Sequence, residues 1–186
     1  MTLPHARTLN ALGLLGCCAI LLVAFGYQVL LGELPCPLCL LQRAAFAASG
    51  VGFALGVRFG PRPSHYGIAI LGALAGAAIA ARQIALHVVP GTGGYGATLF
   101  GLHFYTLALI AFVVLIGAVA VLLLIVDTDQ PATLAGPGAG LFGTAGLLLF
   151  LGIILANAVS TAAECGTGLC PDDPTRYEAL DAWLKR

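Results

Sequence analysis

Charge is what this chain has least of. Its 186 residues include eight Lys and Arg and eight Asp and Glu, together nine per cent of the total. A soluble domain carries roughly a quarter, so a water-soluble fold is excluded. The charges sum to zero and no basic run occurs, so the sequence has no electrostatic footprint for nucleic acid. Internal repeats are also absent. At this length one compact bundle is expected rather than several domains. What is abundant is apolar: 60% of residues are hydrophobic and the mean hydropathy is +1.01.

The apolar residues fall into five runs, each long enough to cross roughly 30 Å of hydrocarbon. They lie near 10–31, 37–57, 66–89, 102–126 and 140–160. Short breaks rich in Pro and Gly separate them: Gly32 to Pro35, Arg58 to His65, a stretch opening at Pro90-Gly91, and Asp127 to Gly138. The expected fold is all-α, a polytopic membrane bundle over residues 1–160 followed by a tail over 161–186. Arg7, Arg58 and Arg62 mark the cytoplasmic side by the positive-inside rule, which sends the first break outward. Five spans then carry the tail outward too, although Arg176, Lys185 and Arg186 within it pull the other way. Arg7 before an apolar run also opens a signal peptide. Without a small-residue cleavage site, the continuing run favours an uncleaved span. Leu14-Leu15-Gly16-Cys17 faintly resembles a lipoprotein box, but the run continues past it to Leu31.

Two of the six cysteines, Cys17 and Cys18, are adjacent inside the first span, where they read as small buried hydrophobes. The other four stand at span ends, which favours an oxidising compartment. Cys36-Pro37-Leu38-Cys39 opens the second span. Proline directly after Cys36 suits a helix start, placing Cys36 near the N-cap and Cys39 in the first turn. Free amides and the positive end of the helix dipole there favour thiolate over thiol. Positions 36, 39 and 43 share one helical face, so Arg43 stands below Cys39, where it can stabilise an anion.

Arg43 lies roughly 10 Å inward of Cys36, and Arg82 on the third span roughly 12 Å inward of Pro90, at 1.5 Å per residue. Both arginines thus fall in one layer, joined there by Gln42, Gln83 and His87. Intramembrane arginines usually face a polar cavity or partner, and a lipid-soluble quinone suits such a layer. The competing reading is that they snorkel to the headgroups.

Cys165-Gly166-Thr167-Gly168-Leu169-Cys170 closes a small loop able to hold a disulfide, either redox-active or a structural staple. Beyond it, Asp173 is placed to cap a short helix from Pro174. Tyr177, Leu180, Trp183 and Leu184 form its apolar stripe, with Asp181 and Lys185 off it, and such a helix lies on a membrane surface. A four-cysteine zinc site is disfavoured by an oxidising compartment, so no metal is expected. Gly52-x-x-x-Gly56 and Gly72-x-x-x-Gly76 read as close-packing helix contacts.

Leu34-Pro35-Cys36-Pro37-Leu38-Cys39-Leu40-Leu41-Gln42-Arg43 resembles the motif of the DsbB disulfide-bond formation proteins, and the resemblance extends to Arg82-Gln83 and His87. It implies a four-helix DsbB-like core, here with a fifth span and a short amphipathic helix added. The implied activity is a thiol–quinone oxidoreductase of the bacterial inner membrane that re-oxidises a periplasmic DsbA-like thioredoxin-fold protein. Ubiquinone or menaquinone would be the cofactor. Cys36 and Cys39 would be the quinone-coupled pair, with Arg43, Gln42, Arg82 and His87 around the quinone. The family's second cysteine pair lies between spans three and four, where this chain has none. The expectation is that Cys165 and Cys170 replace it, facing the periplasm. A vitamin-K-epoxide-reductase-like enzyme and a non-enzymatic scaffold with structural disulfides are the alternatives.

Overall fold

The computed structural model describes residues 3–89, 91, 93–126 and 140–184. The predicted fourth break (127–138), Pro90, and the tail charges Lys185 and Arg186 lie outside the described residues. The elements run α1 (Leu3–Leu31), α2 (Pro37–Phe59), α3 (Pro63–His87), β1 (Thr98–Leu99), β2 (Leu102–His103), α4 (Phe104–Ile125), α5 (Gly140–Cys165) and α6 (Glu178–Leu184). Five of these helices are long and apolar enough to cross a membrane. The expected all-α membrane bundle is what the chain forms.

Proline starts two of the helices. Pro37 and Pro63 occupy first-turn positions, and the residues before them, Cys36 and Arg62, are extended, as a residue preceding proline prefers. α2 ends at Gly60, whose φ of 86° stops the helix.

The helices pack in the order α5, α1, α2, α3, α4, with α2 also reaching α4 and α5. The α2–α3 contact is the closest. A Cβ on Gly72 would sit 2.7 Å from the Ser49 backbone nitrogen, and one on Gly52 would strike the His65 carbonyl. Both small-residue pairs therefore do the packing work expected of them. At the end of the bundle away from the cysteines, Asn10 donates to the Tyr66 hydroxyl at 2.9 Å and ties α1 to α3. Cys17 and Cys18 are free and buried in the core.

Three local features differ from expectation. α5 runs on to Cys165, five residues past its predicted end, because Ala162, Ala163 and Glu164 are good helix formers that carry the helix on after the apolar run stops. α6 begins at Glu178 rather than at Pro174. Pro171 and Pro174 lie in a segment of bends that is neither helix nor strand, since proline disfavours helix at the residue before it, and Asp173 lines a cavity instead of capping a helix. The connection between α3 and α4 also contains an antiparallel hairpin, pairing Thr98 with His103 and Leu99 with Leu102. Its two turn residues, Phe100 and Gly101, have φ of 54° and 77°, both positive as a type I′ turn requires.

Because the helices alternate in direction, the end of α1, the start of α2, the end of α3, the start of α4 and the end of α5 gather at one end of the bundle. Both disulfide-bonded cysteine pairs are there.

Candidate functional site

Two disulfides define the site. Cys36–Cys39 spans 5.0 Å between Cα atoms, and Cys165–Cys170 spans 4.4 Å. Cys36 is the N-cap of α2, and its sulfur accepts from the Cys39 amide at 3.2 Å. This is the arrangement expected from proline at the next position.

Gln83 of α3 reaches across to this pair. Its amide nitrogen donates to Cys36 Sγ at 3.3 Å and to Cys39 Sγ at 3.5 Å. Its oxygen in turn accepts from Gln42 Nε2 at 2.7 Å. Gln83 is 1% exposed, so this buried amide has all its bonds invested in the disulfide and its support.

α1 and α4 scarcely meet. Apart from the edge-to-face contact of Tyr27 with Phe104, at 4.6 Å between centroids, their facing surfaces stand apart. The gap is a cavity of about 940 Å³ floored by α2, within the range of small-molecule sites. Cys39, Gln42, Arg43 and Phe46 form the floor. Ala24 and Tyr27 belong to the α1 wall, Tyr105 and Ala108 to the α4 wall, and Tyr95 and Asp173 stand at the connection and the tail.

Arg43 is held in the cavity wall rather than turned to the headgroups. It donates to Gln28 Oε1 at 2.6 Å, to the Ala24 carbonyl at 2.8 Å and to Asn157 Oδ1 at 3.5 Å. Gln28, 2% exposed, passes the connection on: its Nε2 donates to Ser160 Oγ at 2.7 Å and to the Tyr177 hydroxyl at 3.1 Å. One network thus joins α1, α2, α5 and the tail. Tyr95, outside the spans, donates to the Leu34 carbonyl at 2.9 Å. Burial and then the negative charges of Asp173, Glu164 and Glu33 push its phenol up to about 12. Glu33 accepts from the Ala97 amide at 3.0 Å and pins the connection to the first break.

The expected residues divide. Cys39, Gln42 and Arg43 share the cavity, and Cys36 joins through its bond to Cys39. His87 is one ring removed: its imidazole accompanies the Gln83 carbonyl at 2.8 Å and stacks on Tyr105 at 5.2 Å, with His103 on the same ring at 5.1 Å. Arg82 is not brought in. Gly76, Ala80 and Gln83 form the buried face of α3, and residue 82 is turned some 100° from residue 83, leaving it exposed. Equal depth placed Arg82 beside Arg43, but helix rotation separates them.

Several residues in the network went unread in the sequence. Gln28 is a lone amide in an apolar run, with no spacing to mark it. Asn157, Ser160 and Glu164 did carry a signal: the spacing i, i+3, i+7 puts three polar residues on one face of a span. That face is the one turned to Arg43 and Gln28.

The family model for Disulfide bond formation protein DsbB matches residues 6–94. Among curated relatives, Disulfide bond formation protein B of Xanthomonas axonopodis pv. citri is 43% identical over 84 residues, covering 42% of this chain and 49% of the relative. That of Methylococcus capsulatus is 41% identical over 97 residues, covering 48% and 58%. That of Azoarcus sp. is 40% identical over 96 residues, covering 48% and 57%. The chain spans about half the length of the curated relatives it matches. The family match takes in α1 to α3 and the Cys36–Cys39 pair, while α4, α5 and Cys165–Cys170 lie beyond it. No solved structure matches the chain.

Proposed function

We propose, for a chain that belongs to the DsbB family through its residues 6–94, that it is a membrane thiol–quinone oxidoreductase. It re-oxidises a DsbA-like thioredoxin-fold dithiol protein on the periplasmic side of a bacterial inner membrane. The observation that carries this reading is the Cys36–Cys39 disulfide at the floor of an apolar cavity, with the Arg43 guanidinium in the same wall.

The cavity fits a quinone. Its apolar helix faces suit the ring and tail, and Arg43 and Gln42 would hold the ring oxygens. A bound quinone supplies a sink for two electrons and two protons. The protein's own residues deliver them. A thiolate of the partner attacks the Cys165–Cys170 disulfide and forms a mixed disulfide, which the partner's second thiol resolves. The tail dithiol then exchanges with Cys36–Cys39, leaving two electrons in a dithiol beside the cavity. Gln83 and the α2 N-terminus stabilise thiolate at that pair, and Arg43 supplies positive charge at the cavity wall.

Outward placement of both pairs is supported by Arg58, in the last turn of α2, and Arg62, in the α2–α3 connection, both at the other end of the bundle. The same location makes the tail available to a soluble partner.

The test is quinone reduction by purified protein fed with a reduced thioredoxin-fold dithiol protein, for the wild type, Cys36→Ser and Cys165→Ser. Turnover by wild type alone supports the two-pair relay. Wild-type turnover by Cys165→Ser makes the tail bridge a staple, with the partner meeting Cys36–Cys39 directly. An inert wild type with several quinones overturns the enzyme reading in favour of a scaffold.

A further inference from the structure

Glu164 is the least explained residue in the bundle. It is 0% exposed, and neither of its carboxylate oxygens has a hydrogen-bond partner. It sits in the last turn of α5, where backbone carbonyls rather than amides are free and the helix dipole opposes a negative charge. Arg43 is not its ion-pair partner. The two charges act on each other through space, but no contact joins them, and the guanidinium is engaged by Gln28, Asn157 and the Ala24 carbonyl. A structural role would have left some bond to show for the burial. An ionisable residue inside a membrane without one marks a site of function.

Its position says which function. Glu164 immediately precedes Cys165, itself 8% exposed. On the other side, the α5 face it shares with Asn157 and Ser160 bonds Arg43 and Gln28. Arg43 shares the cavity wall with Cys39, and Tyr95, whose phenol the Glu164 charge helps to push up, bonds the carbonyl of Leu34, two residues before Cys36. Around it, α2 presents Arg43, the α3–α4 connection Tyr95, and α1 the uncharged Gln28. The acids on α6, Glu178 and Asp181, are engaged with Arg176.

We propose that Glu164 carries protons between the two cysteine pairs during their exchange. This rests on the two-pair relay proposed above and adds the step it leaves open. As a carboxylate, Glu164 takes the proton of a tail thiol. The thiolate so formed attacks one sulfur of Cys36–Cys39; that S–S bond breaks as a new one forms between the pairs. The displaced sulfur leaves as thiolate and receives the proton from the Glu164 carboxylic acid. The second tail thiol gives its proton to Glu164 in the same way and attacks the mixed disulfide. That closes Cys165–Cys170 and releases the other sulfur, which takes this proton too. Two electrons and two protons pass from one pair to the other, and Glu164 ends as it began.

The experiment uses full-length protein in nanodiscs, as wild type, Glu164→Gln, Glu164→Asp and Cys165→Ser. Turnover with a reduced thioredoxin-fold protein and quinone is followed across pH. In parallel, acid quenching and maleimide labelling follow a single exchange between the pairs. Glu164→Gln is expected to slow that exchange about tenfold or more and to replace the wild-type pH profile with the plain rise set by thiol ionisation. Glu164→Asp should restore part of the rate and the wild-type profile. If Cys165→Ser is inactive but Glu164→Gln exchanges at the wild-type rate with the wild-type profile, the relay stands and the proton carrier falls. If Glu164→Gln and Glu164→Asp are slowed equally with an unchanged profile, Glu164 is only structural and the proposal is overturned. If Cys165→Ser turns over like wild type, the relay fails and takes this proposal with it.

Discussion

Gln28 of α1 donates a 3.1 Å hydrogen bond to the hydroxyl of Tyr177, 149 residues further along the chain. The same amide accepts from Arg43 at 2.6 Å. The first span is therefore the hinge point on which the cavity's arginine and the cysteine-bearing tail both depend. Replacing Gln28 with Ala would free the tail and strip Arg43 of its shortest bond. A loss of about 2 kcal/mol is expected, seen as a lower thermal midpoint together with faster proteolysis between residues 166 and 177.

Arg43 and Arg82 test whether depth or direction matters. Arg43→Met should slow quinone reduction about tenfold or more, with a smaller effect on oxidation of the partner. Arg82→Met, at an exposed position on the outer face of α3, should stay within about twofold of wild type. Steady-state quinone kinetics with saturating partner separate the two. Equal losses would show that the cavity is not where quinone is reduced.

Helix packing makes a second contrast. Gly72→Val forces a side chain against the Ser49 backbone, and about 2 kcal/mol or more of stability should be lost. Gly117 on α4 has nothing within 4 Å of a built Cβ. Gly117→Ala, mid-helix with room for a methyl group, should stabilise by about 0.5–1 kcal/mol. Thermal unfolding in one detergent compares them directly.

Alkali reaches the site through Tyr95. Its phenol ionises at about 12 rather than its ordinary 10, because burial and nearby negative charge disfavour the phenolate. The folded pKa lies above the unfolded one, so the stability linked to this group is fully present below pH 10. It is lost as pH rises through about 12. An ultraviolet titration of wild type against Tyr95→Phe should show one tyrosine fewer ionising near the upper value. A missing tyrosine near the ordinary value instead would mean that the Leu34 contact does not shelter the phenol.

What is legible in the amino-acid order alone is local or one-dimensional. The five spans follow from run length, because hydrocarbon thickness sets a minimum number of apolar residues. The Cys36 cap follows from Pro37, since a proline's missing amide is harmless only in a first turn. Placing Cys165 and Cys170 at the same end as Cys36 follows from counting spans, and the helix order agrees.

What the sequence did not yield depends on how helices rotate and on what lies beside them. Arg82 and Arg43 share a depth, yet one is exposed and the other lines the cavity, because hydropathy reports depth and not azimuth. Pro174 reads as a helix start, but the tail uses residues 173–175 as a cavity wall and turns Tyr177 inward to Gln28. The hairpin at Phe100-Gly101 has no alternating apolar pattern to announce it. The sequence by itself determined that this is a five-span membrane protein with a CxxC at a helix start. Its apolar runs and its prolines act within a few residues of themselves. Only the tertiary structure decided that α1 and α4 stand apart to leave a cavity, that Gln83 contacts the disulfide, and that Glu164 is buried without a bond. Those depend on contacts between residues distant in the chain, which no local pattern encodes.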